Sequence, residues 1–149
     1  EQPVAPGVPA AEWARLRGET GLRIAADESL SDGARGLELI RATACDAVVL
    51  KPSLLGLAAA ARLARAAREA GLEVIVSGAF ETAAGLGAAL EFAAVFGSAG
   101  SAHGFATALA VLDDPVAGVP LPAGGDIELP AAGVLPVLAP AAGNGEALT

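Results

Sequence analysis

"AVVLKPSLLG", residues 47–56, runs from four apolar residues into a lysine and a proline. The apolar run reads as a buried strand, and its length and β-branched content fit that state better than a helix. Lys51, which ends it, is the only lysine in a chain with eight arginines. Pro52 is expected to forbid helix directly after Lys51 and to keep that residue extended, so that the sheet fixes the side chain's direction. A rigid strand end holds a catalytic group better than a loop does. The plainer reading is a lysine whose stem lies along the strand end while its ammonium stays in water.

Working outward, further strand candidates are 22–26 (LRIAA), 72–76 (LEVIV) and 101–105 (SAHGF), with helices expected over 10–17, 33–43, 57–70 and 82–96. The helix over 57–70 has the clearest pattern, with Arg62, Arg65, Arg68 and Glu69 on one side and Ala60, Leu63, Ala64 and Ala67 on the other. Gly71 follows it in the usual stop position. Strand starts near 22, 47, 72 and 101 recur at the spacing of one βα unit, which implies a parallel sheet. Beyond Phe105 the chain becomes rich in Pro and Gly and reads as extended segments and turns.

An open doubly wound sheet and part of a (β/α)₈ barrel both satisfy this order. Polar residues favour the barrel. Asp27 and Glu28, Lys51, Ser77 and Gly78, and His103 and Gly104 stand at or near the C-terminal ends of successive strand candidates, and in a barrel those ends converge on one mouth. The expected class is therefore α/β, the C-terminal part of a TIM-type (β/α) barrel with outer helices. The domain is read as residues 1–137, from the end of strand 4 through strand 8 and a return segment, followed by a flexible tail over 138–149.

Composition narrows the function. The chain has 149 residues, a net charge of −8 and a pI near 4.5, which argues against a nucleic-acid partner because phosphate binding rests on Lys and Arg. No apolar run is long enough to span a membrane and no stretch of this sequence reads as a signal peptide, so a cytoplasmic protein is expected. Cys45 cannot form an internal disulfide and reads as a small buried hydrophobe. With 54% hydrophobic and only 3% aromatic residues, the core must be built largely from Ala, Leu and Val.

Asp27 either caps the next loop or binds a hard cation through oxygen. Glu1, followed by Gln2 and Pro3, would end a preceding strand in the same way. Glu81 reads as an acid near a helix start or as a catalyst, and His103 as a structural or a substrate-facing imidazole. The glycines of GSAGSAHG precede a strand candidate where a phosphate loop would follow one, which argues against that use.

Taken together, EQP, IAADESL, VVLKPSLLG, VSGAFETAAGL and HGFAT resemble the C-terminal half of the enolase-superfamily barrel, most closely its o-succinylbenzoate synthase family. The resemblance covers Glu1 to about Val137. It implies a Mg²⁺ site, with Mn²⁺ as a substitute, in which Glu1 and Asp27 are the second and third of three carboxylate ligands. It implies a catalytic role for Lys51 on the sixth strand and substrate contacts from Ser77, Gly78 and His103. In that family a second-strand lysine removes the proton α to a carboxylate, and hydroxide then leaves. A small carboxylate is the implied substrate, and a missing N-terminal half carrying the base and the first metal ligand is the implied partner. An N-acylamino acid racemase or dipeptide epimerase of the same superfamily, and a noncatalytic α/β binding module, are the alternatives.

Overall fold

In a computed structural model that describes residues 1–110 and 119–129, three parallel strands lie in the order β1 (Ala25–Ala26), β2 (Ala47–Leu50) and β3 (Glu73–Val76). Five α-helices accompany them: α1 (Ala10–Thr20), α2 (Gly33–Arg41), α3 (Pro52–Leu55), α4 (Leu57–Glu69) and α5 (Ala83–Phe96). Short 3₁₀ turns occupy Glu28–Ser31 and Ala106–Ala110. The expected domain end at 137 and the tail over 138–149 lie outside the described residues.

Helices α2 and α4 follow from local sequence. Asp32 opens α2 by accepting hydrogen bonds from the backbone N–H groups of Ala34 and Arg35 at 2.9 and 3.3 Å. Helix α4 buries Ala60, Leu63, Ala64 and Ala67 and leaves its arginines outward, as the 3.6-residue period requires. Its end is a Schellman motif: Leu72 N–H donates to Ala67 C=O and Gly71 N–H to Arg68 C=O, with Gly71 at φ 74°. Only glycine takes that backbone conformation without strain.

Alternation along the strands separates two faces. Ala26, Val48, Leu50, Val74 and Val76 join the core that the helices cover. Residues one step along, including Asp27, Val49, Lys51, Ile75 and Ser77, therefore point to the opposite face. The cover is built from aliphatic side chains, alanines among leucines and isoleucines, with Trp13, Phe92 and Phe105 as the large aromatic contributions. Cys45 is fully buried, as expected, and burial pushes its thiol up to about 11.

Three expectations are corrected. Pro52 does not exclude helix: it is the first residue of α3, where its missing N–H costs nothing and its fixed φ suits the helix start. Lys51 stays non-helical at φ −112° and ψ 89°. The first strand is confined to Ala25–Ala26 because at Ile24 a side chain takes the ladder's place: Asp46 Oδ2 accepts the Ile24 N–H at 2.8 Å. Similarly, 101–105 contributes one parallel bridge, Ser77 to Gly104, and no named strand. There Ser98 Oγ accepts from Val74 N–H at 2.8 Å and His103 Nδ1 from Val76 N–H at 3.2 Å, so side chains meet donors that a strand's carbonyls would meet.

Asp46 also pairs with Arg17 of α1 at 3.1 Å. Replacing it strands a backbone donor as well as an ion-pair partner. Asp46→Ala is expected to cost about 1–3 kcal/mol, against about 0.5 or less for Arg62→Ala on the exposed side of α4. Urea titration of both variants checks this, and equal midpoints would refute the edge role of Asp46.

Candidate active site

Lys51 leaves the end of β2 and reaches back toward the end of β1. Its Nζ donates to both oxygens of Asp27, at 2.8 Å to Oδ1 and 2.6 Å to Oδ2. The Asp27 side chain is 6% exposed and that of Lys51 25%, so the pair is largely shielded from water. Shielding strengthens the attraction and also makes either charge costly alone.

Gln2 supports the pair, and its part was not read from the sequence. Its Oε1 accepts from the backbone N–H groups of Asp27 and Ser29 at 3.1 and 3.0 Å, while its Nε2 donates to Val4 C=O at 2.9 Å. The side-chain amide thus holds the turn that leaves β1. Glu1, the neighbouring residue, meets Asp27 directly. Its carboxyl is pushed above the usual carboxylate range, first by a hydrogen bond with the Asp27 side chain, then by burial and by the Asp27 charge. The amino terminus and Lys51 oppose the rise.

Lys51 and Glu1 therefore both come to Asp27, Lys51 by two hydrogen bonds and Glu1 by the interaction that raises its carboxyl. Two adjoining carboxylates that repel one another are a suitable donor set for a hard divalent cation, and Glu1 and Asp27 fit Mg²⁺ in that respect. They are two donors only. Among the described residues no cluster of three Asp, Glu, His or Cys side chains could hold a metal ion.

The remaining expected residues divide. Ser77 follows β3 next to Lys51 in the parallel register, and its hydroxyl donates to Gly104 C=O at 3.1 Å. Gly78 is buried, and its N–H donates to Gly104 C=O at 2.8 Å. His103 stands apart from the Lys51 pair. Its ring lies against the β3 backbone and the end of α5, where a Cβ on Gly97 would come within 2.7 Å of Nε2. Alternation accounts for this, because Gly104 pairs with Ser77 and its two neighbours, His103 and Phe105, turn toward the helices.

This geometry belongs to a known class. The chain is a member of the Enolase C-terminal domain-like family, whose family model matches residues 1–134. Among curated relatives it is 42% identical over 126 residues to the o-succinylbenzoate synthase of Thermobifida fusca, covering 85% of this chain and 37% of that protein. It is 35% identical over 103 residues to the o-succinylbenzoate synthase of Mycolicibacterium smegmatis, covering 69% and 32%. The chain thus spans about a third of the length of these curated relatives. Among solved structures, a mandelate racemase/muconate lactonizing enzyme from Roseiflexus sp. superposes with a TM-score of 0.80 at 28% identity, over 93% of this chain and 39% of that one. The L-Ala-D/L-Glu epimerase of Bacillus subtilis superposes with a TM-score of 0.70 at 25% identity, over 81% and 34%. The parallel sheet with its outer helices is accordingly part of a TIM-type barrel. No helix among the described residues is long and apolar enough to cross a membrane.

Burial holds the His103 imidazole below its ordinary value of 6.5, against the raising effect of the Glu73 charge. A base whose folded value is depressed favours folding while neutral. Its contribution is complete above the unfolded value and is lost as pH falls through 6.5 toward and past the folded value. Denaturation midpoints should therefore decline on acidification, and His103→Gln should remove part of that slope. A variant with an unchanged slope would show that His103 does not titrate against the fold.

Proposed function

We propose that the chain is the Lys51-bearing part of an o-succinylbenzoate synthase. The reaction is the dehydration of 2-succinyl-6-hydroxy-2,4-cyclohexadiene-1-carboxylate, in menaquinone biosynthesis. The observation that carries this reading is the convergence of the Lys51 ammonium and the Glu1 carboxyl on Asp27, in a chain whose curated relatives bear that name.

The chemistry asks for charge at a carboxylate. The proton α to the substrate carboxylate leaves, its electron pair becomes part of the ring π system, and the C–O bond to the hydroxyl breaks, so that water is lost. Glu1 and Asp27 would hold Mg²⁺, which supplies positive charge at the substrate carboxylate when bound. Lys51 offers a compact ammonium with three donors, two of them directed at Asp27, and the third is left to face developing charge on the substrate. The near-closed surroundings of Asp27 make that charge effective. The base that takes the proton, and the first metal ligand, would come from the part of such an enzyme that these residues do not cover, since they match about a third of the relatives' length.

A second reading is favoured by one observation, the superposition on the Bacillus subtilis epimerase. In an epimerase Lys51 would give or take a proton. Turnover by the assembled enzyme of the cyclohexadiene carboxylate, set against dipeptides and N-acylamino acids, separates the two.

Lys51→Arg keeps the charge but spreads it over a planar group that cannot occupy the same point. In the assembled enzyme it should lower turnover about a hundredfold, which corresponds to roughly 2.7 kcal/mol of transition-state stabilisation. The fold should survive, as circular dichroism would report. Near-native turnover in this variant would reduce Lys51 to a solvated strand end.

A further inference from the structure

Glu81 reads from sequence as a helix-terminal acid or a catalyst, and it stands directly before Thr82, the N-cap of α5. Its Oε1 accepts from Ser53 Oγ at 2.6 Å and its Oε2 from Ala79 N–H at 2.6 Å. Ser53 lies in the first turn of α3, the helix that begins directly after Lys51, and Ala79 lies in the turn that leaves β3. One carboxylate therefore spans two neighbouring loops at the C-terminal edge of the sheet.

The surroundings leave Glu81 little freedom. A Cβ on Gly78 would stand 2.8 Å from Glu81 Oε2 and 2.9 Å from Thr107 Oγ1, and a Cβ on Gly85 would stand 2.6 Å from Glu81 Cβ. Two glycines, one on each side, thus make the room that this side chain occupies. Between Ala79 and Glu81, Phe80 is held at φ 61°, a backbone region that a residue with a bulky side chain seldom adopts, and its ring is 68% exposed. Burial of the ring does not account for that conformation, and Phe80 lies inside the turn that the bond between Ala79 N–H and Glu81 closes.

Lys51 is bound to the same helix through its backbone. Its carbonyl accepts from the N–H groups of Leu54 and Leu55, both at 3.0 Å. Whatever fixes the first turn of α3 therefore fixes the backbone from which the lysine projects.

We propose that Glu81 is a positioning residue, which ties the turn after β3 to the first turn of α3 and so holds Lys51 in place against Asp27. The proposal rests on the reading of Lys51 as the functional ammonium. It assigns Glu81 no proton transfer. Gly78, expected to contact substrate, serves in this arrangement to admit the Glu81 carboxylate.

Glutamine separates positioning from acid–base work. Its carbonyl can accept from Ala79 N–H while its NH₂ donates to Ser53 Oγ, so both ties persist without an ionisable group. In the assembled, Mg²⁺-loaded enzyme, Glu81→Ala and Ser53→Ala should each lower kcat about tenfold with KM changed by about twofold or less, and Glu81→Gln should recover most of the loss. Glu81→Ala should add little in a Lys51→Ala background, since the two act through one group. Amide hydrogen exchange at Leu54 and Leu55 should quicken about tenfold in Glu81→Ala and Ser53→Ala, while the amides of β2 are unchanged.

A Glu81→Gln enzyme as slow as Glu81→Ala would overturn the proposal in favour of a proton-transfer role. Additive losses in the Lys51→Ala background, or unaltered exchange in Ser53→Ala, would overturn it as well. Ser53 is exposed, so its substitution keeps the test decisive if Glu81→Ala fails to fold. If the unsubstituted enzyme turns over neither the cyclohexadiene carboxylate nor the epimerase substrates, the functional reading fails, and the exchange measurement still decides whether Glu81 ties the loops.

Discussion

Strand β2 is hydrogen-bonded along both edges, to β1 at Ala47 and Val48 and to β3 from Ala47 to Leu50. That double pairing is the constraint on which the other elements depend. A central parallel strand needs cover on both faces, and the helices supply it on one by packing against Val48 and Leu50. The strand's end is then fixed in three dimensions, with Leu50 C=O accepting from Ser77 N–H at 2.9 Å and Lys51 emerging beside it. A lysine on a frayed edge could swing through many rotamers. At this position its stem is directed by the sheet.

At both margins of the described sheet, polar side chains take over from backbone. Asp46 receives the N–H of Ile24, while Ser98 and His103 receive those of Val74 and Val76. The reason lies in the cost of a buried backbone donor without an acceptor, which must be met by some group even where no strand arrives. Short strands result, and the sheet keeps its register without long ladders. Gln2 does the same for Asp27 and Ser29 at the turn leaving β1. The carboxylate that faces Lys51 is thus held from behind by backbone whose donors are satisfied.

Asp27 carries the electrostatics of the site. It accepts two bonds from Lys51 and adjoins Glu1, so one carboxylate faces a cation and a second acid at once. Such a group is stable only while positive charge stays close, because burial penalises an unpaired carboxylate. A lysine supplies that charge as a compact point on a flexible stem, where an arginine would bring a larger, planar and always-charged fork. The absence of any other lysine makes the choice at position 51 legible.

Much of the architecture was readable from the chain alone. The apolar stripe of α4, the stop at Gly71, the βα repeat and the strand-end placement of Asp27 and Lys51 all depend on residues near one another in sequence, where period and turn chemistry act. What the tertiary structure decided depends on contacts between distant residues. Asp46 shortens the first strand by reaching Ile24, 22 positions away, and His103 turns from the mouth because Gly104 happens to pair with Ser77. Glu81 meets Ser53 across 28 positions, which no local pattern encodes. Pro52 illustrates the boundary between the two: its fixed φ was plain from sequence, but the same φ serves an extended segment or the first turn of a helix, and the start of α3 between β2 and α4 selected the helix.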